Sequence, residues 1–170
     1  MLVALAGIAG IVLGALMTSL FHHWAWLQAR RLDEYAALMT AFLANASASA
    51  AAIQGRTIYD PDVPAERAEL SKLVQDAWRC ADDYFAALNR VKVVGTARAA
   101  KAADGMTAFV AMTREAPPLG NGMPIPVEEF PTVSKHAHGL VEDFAAVARV
   151  DVGNTGARSL VWRWLREPFT

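Results

Sequence analysis

General acid–base work needs two carboxylates that converge on one substrate, and three adjacent acidic pairs occur in the chain: Asp82-Asp83, Glu128-Glu129 and Glu142-Asp143. Neighbours on a helix diverge by about 100°, so each pair spreads over a solvated face instead of closing on one atom. Metal chemistry fares no better. A di-iron site in a helical bundle needs inward carboxylates and two Glu-x-x-His units, and the chain contains no Glu-x-x-His. His136 and His138 are two residues apart, a spacing that turns them roughly 200° from each other on a helix and prevents chelation. Cys80 is the single cysteine. It can form no internal disulfide and is too little for a zinc or iron–sulfur site. At helical spacing from apolar neighbours it reads as a small buried hydrophobe. Gly-Asn-Gly at 120–122 is flanked by prolines and lacks the lysine of a phosphate-binding loop. No Ser–His–Asp arrangement or dinucleotide fingerprint is present. These residues point to a non-enzymatic protein with no catalytic, cofactor or metal site.

The elements that carry these residues divide the chain of 170 residues into three parts. The first 26 residues carry no Asp, Glu, Lys or Arg, and every formally charged side chain lies from Arg30 onward. Leu2 to Phe21 is an unbroken run of apolar and small residues. Twenty helical residues rise about 30 Å, the hydrocarbon thickness of a bilayer. His22, His23, Trp24 and Trp26 then suit the headgroup level, followed by Arg30 and Arg31. A cleaved signal peptide fits poorly, because the basic leading region is missing and bulky Phe21, Trp24 and Trp26 fill the cleavage zone. The sequence thus predicts a transmembrane anchor over 1–26. Arg30 and Arg31 orient it with the N-terminus outside and the rest in the cytoplasm, a single-pass protein of the cell membrane. Ala6, Gly10, Gly14 and Thr18 recur at intervals of four, a stripe of small residues of the kind that lets membrane helices pack closely.

Residues 27–156 read as a cytoplasmic bundle of about four antiparallel helices. The first continues from the membrane with Leu32, Tyr35, Ala36, Met39, Phe42, Leu43, Ala46 and Ile53 on one side. The prolines and aspartates of 59–64 make a turn. A second helix from Pro64 to about Val93 shows the clearest amphipathic pattern, with Leu70, Leu73, Val74, Ala77, Ala81, Tyr84, Phe85, Leu88 and Val91 inward. A third covers about Thr96–Glu115, stopped by Pro117 and Pro118. A fourth covers about Pro131–Val150, broken at Gly153–Gly156. No stretch alternates like a strand, so the fold class is all-α.

The last part, 157–170, predicts a short amphipathic C-terminal helix that interleaves Arg158, Arg163 and Arg166 with Trp162 and Trp164. Arg and Trp together suit a docking or interfacial surface. Sixteen basic against seventeen acidic groups, net charge −1, argue against nucleic acid as a partner.

The N-terminal span followed by Arg30-Arg31, Tyr35-Ala36 and Phe42-Leu43 resembles uncharacterised small single-span membrane proteins of high-GC actinobacteria and their phages. That resemblance covers about the first 50 residues and implies no activity. Two functions are therefore weighed first, with an enzyme of unrecognised type as a third. One is a membrane-anchored interaction or accessory protein, bound to a protein partner or to its own copy through the transmembrane helix. The alternative is a small-molecule or lipid sensor with ligand between the helices near Trp78, Tyr84, Phe109 and Phe144.

Overall fold

The computed structural model describes residues 2–116, 118, 126 and 129–154, with side chains for 13–116, 118, 126 and 129–153. These residues are 92% helical, in four helices with no strand among them, so the core is built helix on helix. They are α1 (Leu2–Ile58), α2 (Pro64–Val94), α3 (Ala97–Glu115) and α4 (Phe130–Asn154).

α1 contains no proline and runs 57 residues without a break, about 85 Å at the helical rise. It ends in a turn that Asp60 organises by accepting from the Asp62 N–H at 2.9 Å. Pro64 starts α2 at a position where its missing N–H costs nothing. Glu66 reaches back to the Asp60 N–H at 2.6 Å, and Val63 offers no side-chain cap. Gly95 closes α2 by donating to the Val91 carbonyl at 2.7 Å. Thr96 then caps α3 by accepting from the Ala99 N–H.

The buried residues repeat at alternating intervals of three and four, the spacing that keeps one seam facing a neighbouring helix. On α1 the seam is Tyr35, Leu38, Phe42, Asn45, Ser49 and Ala52; on α2 it is Ala77, Ala81, Tyr84, Leu88 and Val91. Ala99, Ala103, Met106, Val110 and Thr113 form the seam of α3, while Ala137, Phe144 and Asp151 are buried on α4. Cross-contacts set the directions. Arg31 meets Val94 and Asn45 meets Ala77, so α2 runs back along α1. Tyr84 meets Ala103 and Thr107, so α3 reverses again. Phe109 lies against His136 while Tyr35 meets Phe144 and Asp151, so α4 returns toward the Arg31 end. Edge-on aromatic pairs fill the middle: Phe42 with Phe109 at 5.4 Å and Tyr35 with Phe144 at 5.6 Å between centroids.

Several sequence expectations shift here. Leu32, Ala36 and Leu43 are exposed, whereas Glu34, Leu38, Asn45 and Ser49 are buried, so the inward face of α1 is rotated from the one its apolar pattern suggests. α4 runs to Asn154, four residues past Val150 and into the Gly153–Gly156 interval. Cys80 is half-buried and not in the core.

Candidate functional site

Among the described residues, α1 is the one helix long and apolar enough to cross a membrane. Its two halves differ. From Glu34 onward it buries a seam against α2, α3 and α4, while every residue from Leu13 to Trp26 is exposed. Leu13, Leu16, Met17, Leu20, Phe21 and Trp24 are large apolar groups that share one broad exposed face at helical spacing, and Trp26 is exposed on nearly the opposite side. Thr18 donates its hydroxyl to the Gly14 carbonyl at 2.8 Å, which satisfies the polar group within the helix. A Cβ at Gly14 would meet nothing within 4 Å, so this face of the stripe is open. Ala6 and Gly10 lie on the same helix, with their surroundings outside the described residues. His23 and Trp26 stack at 6.2 Å, and His22 and Trp24 are exposed beside them.

One turn beyond Trp26 the helix enters the folded body through a polar junction. Arg30 and Arg90 both bind the Glu34 carboxylate, at 2.7 and 2.8 Å. The carboxylate is buried, and each guanidinium is half exposed. Arg31 donates to the Val94 carbonyl at 2.8 Å, tying the C-terminal end of α2 to α1. Inside this layer, Tyr35 donates its hydroxyl to Asp151 at 2.9 Å and accepts the Thr96 N–H at 3.3 Å. The Thr96 hydroxyl also donates to Asp151. Burial raises the Tyr35 hydroxyl above its ordinary pKa of 10.0, and the bond to Asp151 adds to the rise. α1, the α2–α3 turn and α4 therefore meet in one buried network. The Tyr35, Thr96 and Asp151 groups are paired with one another. Chemically it is a clamp that fixes the base of the body to the exposed N-terminal stretch of α1.

A second feature lies toward the other end. Leu43, Ala46, Ala50, Phe109, Phe130 and Val133 line an open groove of about 570 Å³ between α1, α3 and α4. The aromatic set expected to hold a ligand does not surround it. Tyr84, Phe109 and Phe144 sit in the filled core, and Trp78 is exposed on α2. Only Phe109 touches the groove. His138 bonds the Ser134 carbonyl through Nδ1 at 2.8 Å, and His136 rests beside Phe109, so the two histidines are apart. No group of three or more His, Cys, Asp or Glu side chains among the described residues could hold a metal ion.

The structure brings Arg30 and Arg31 into the junction but adds Glu34, Arg90, Thr96 and Asp151, which the sequence reading did not single out. Arg30 and Glu34 stand at the i, i+4 spacing of a helical ion pair, a signal that was available. Asp151 sits seven residues after buried Phe144, on the same seam. Arg158, Trp162, Arg163, Trp164 and Arg166 lie outside the described residues. α4 ends at Asn154, on the Arg31 side of the body. Compared with family models, characterised proteins and solved structures, the chain matches none of them.

Proposed function

We propose that residues 1–26 cross the bilayer once with the N-terminus outside, and that residues 27–156 form an antiparallel four-helix bundle at the cytoplasmic face. In this reading the protein is a non-enzymatic interaction or accessory component of a membrane complex. The observation that carries it is the division within α1. An apolar stretch exposed on every side continues as the same helix into a seam buried by three others. An uncharged helical stretch that exposes this many large apolar groups needs lipid or protein around it. Arg30 and Arg31 support the cytoplasmic placement of the bundle. The small stripe through Gly14 is the surface for a partner helix or a second copy.

Alkaline carbonate extraction tests the span. A topology reporter at the C-terminus tests orientation: Arg30→Glu with Arg31→Glu should invert or scramble it, and an unchanged cytoplasmic signal counts against the assignment. Crosslinking before mild detergent extraction tests the partner; recovery of free monomer alone would remove the interaction reading.

One observation favours a second reading, an apolar small molecule or lipid held between helices. The groove has a size common for ligand pockets, about 300–1,000 Å³, and small residues such as Ala46 and Ala50 leave it open. Ala50→Phe would fill it. A ligand-like fluorescent fatty acid that binds the unaltered chain and the variant equally would dismiss this site.

A further inference from the structure

The sequence alone places two basic residues beside the span. The fold adds others. Because Arg31 bonds the Val94 carbonyl, the end of α2 lies level with the first turn after the membrane helix, about 7–8 Å beyond Trp26. That distance is within a Debye length at physiological ionic strength, about 8 Å. Arg90, Lys92 and the exposed Val93 are at this end of α2. Arg98 is in the first turn of α3, just past Thr96, which is bonded to Tyr35. Arg30, Arg31, Arg90, Lys92 and Arg98 thus gather from three helices around one end of the body.

The opposing charges here are few. Asp33 is exposed, Glu34 is buried and shared by two guanidiniums, and Asp151 is buried in its bonds to Tyr35 and Thr96. Arg149 adds one more exposed cation on α4. The far half of the body is the reverse. Among the described residues, 43–82 and 106–143 carry ten Asp and Glu against six Lys and Arg, whereas 27–42, 83–105 and 144–154 carry seven basic against five acidic. A nearly neutral chain is therefore polarised along its length, with the positive end where the membrane helix emerges. Val93, 83% exposed on the end of α2, supplies an apolar contact among those cations, beside a shallow recess shared with Arg30, Glu34, Asn89 and Arg90.

We infer that this end of the body is a lipid-docking face. Arg30, Arg31, Arg90, Lys92 and Arg98 bind anionic headgroups of the bilayer that α1 crosses, with Val93 seated at the headgroup boundary. The inference rests on the reading of 1–26 as a span. Continuity with the span and charge complementarity select the occupant, since the nearest surface to these cations is the leaflet from which α1 emerges. Docking at both the span and the face holds the body upright and presents its acidic far end to the cytoplasm. Each basic group near an anionic surface favours it by about fivefold.

The test uses the full chain, with Cys80→Ala, in mixed phosphatidylcholine and phosphatidylglycerol vesicles. A bimane probe is attached at Val93→Cys or, as a far-end control, at Asp62→Cys. Quenching by spin-labelled phosphatidylglycerol is compared with quenching by spin-labelled phosphatidylcholine. The expected result is several-fold stronger quenching by the anionic lipid at position 93, with none by either lipid at position 62. Lys92→Gln with Arg98→Gln, both at exposed positions, should bring the preference at position 93 close to unity, and high salt should do the same. Equal quenching by the two lipids at position 93, in protein that resists carbonate, would overturn the docking face and leave the span standing. Release by carbonate would overturn the span and the docking face together.

Discussion

Asn45 offers a test of the packing logic that does not depend on the membrane. It is fully buried in the α1 seam, where its Nδ2 donates to the Ala77 carbonyl across the helix pair at 3.3 Å. Its Oδ1 is buried with no hydrogen-bond partner. Leucine has the same branched side-chain shape and number of heavy atoms, so Asn45→Leu changes polarity with little change of volume. The substitution relieves an unpartnered buried acceptor, a cost of about 1–3 kcal/mol, and gives up one long neutral hydrogen bond of about 0.5–1.5 kcal/mol. Ala77 lies inside α2, so its carbonyl keeps its helical partner. The variant should therefore be more stable by about 1 kcal/mol, read as a rise in the denaturant midpoint of the full chain in mild detergent. Stability is not the only expected change. A hydrogen-bonded polar residue in a largely apolar stretch of seam fixes register, because sliding the helices removes its partner. Spin labels at the exposed positions Ala51 and Ser71 should then show a broader distance distribution in Asn45→Leu than in the parent chain. A variant that loses more than about 1 kcal/mol would refute the reasoning, since it would mean that Oδ1 contributes a bond of that size.

Tyr35→Phe should destabilise the body by about 1.5–3 kcal/mol, because it removes the hydroxyl that joins Asp151 to the Thr96 N–H; equal unfolding midpoints would show the network to be energetically idle. Burial raises the hydroxyls of both Tyr35 and Tyr84 above 10.0, so their contribution is complete below pH 10 and is lost as pH rises through the raised values. Stability should fall there by up to about 1.4 kcal/mol per pH unit for each tyrosine, and Tyr35→Phe or Tyr84→Phe should flatten the decline in alkaline denaturant titrations. Gly95→Ala should lower the melting temperature, at a cost of about 1–3 kcal/mol, because its Cβ would fall 2.6 Å from the Val91 carbonyl and 3.1 Å from the Tyr35 ring. Gly14→Ile should leave unfolding unchanged, since nothing lies near that position, yet reduce crosslinking to a partner helix; unchanged crosslinking would dismiss the stripe.

The contrast between α2 and α1 explains what could be read in advance. In α2 the buried set is Ala77, Ala81, Tyr84, Ala87, Leu88 and Val91, without a charged or amide side chain, and all but Ala87 stand on the face that periodicity identifies. In α1 three members of the inward face are polar: Glu34, Asn45 and Ser49. Pattern reading assigns such residues to solvent and rotates the face toward Leu32 and Ala36 instead. The information that reverses this choice is not local. Glu34 is buried because Arg90, 56 positions away, supplies a second guanidinium. Asp151 is buried because Tyr35 and Thr96, 116 and 55 positions away, meet it. The helix limits were far more legible, because Pro64, Gly95 and Pro117 are local signals. The strict alternation of three and four from Tyr35 to Ala52 was also present in the sequence, but recognising it required accepting asparagine and serine as seam residues.

The uninterrupted course of α1 gives the polar junction its importance. A helix with no proline from Leu2 to Ile58 has no built-in hinge between the apolar stretch and the seam. Orientation at one end is then carried to the other, within the gentle bending helices allow. The junction reinforces this where leverage is greatest. Arg31 ties α1 to α2, the Glu34 pairs tie the same two helices one turn later, and Tyr35 reaches α4 through Asp151. These three ties, all within about one turn of α1, would have to release before the body could swing about the emerging helix. Under the proposed function, a partner that grips the Gly14 face would also set which face of the body it meets, because the stripe and the seam are parts of one continuous helix. This separates the present architecture from a domain on a flexible tether, whose contacts in the membrane and in the cytoplasm would be independent.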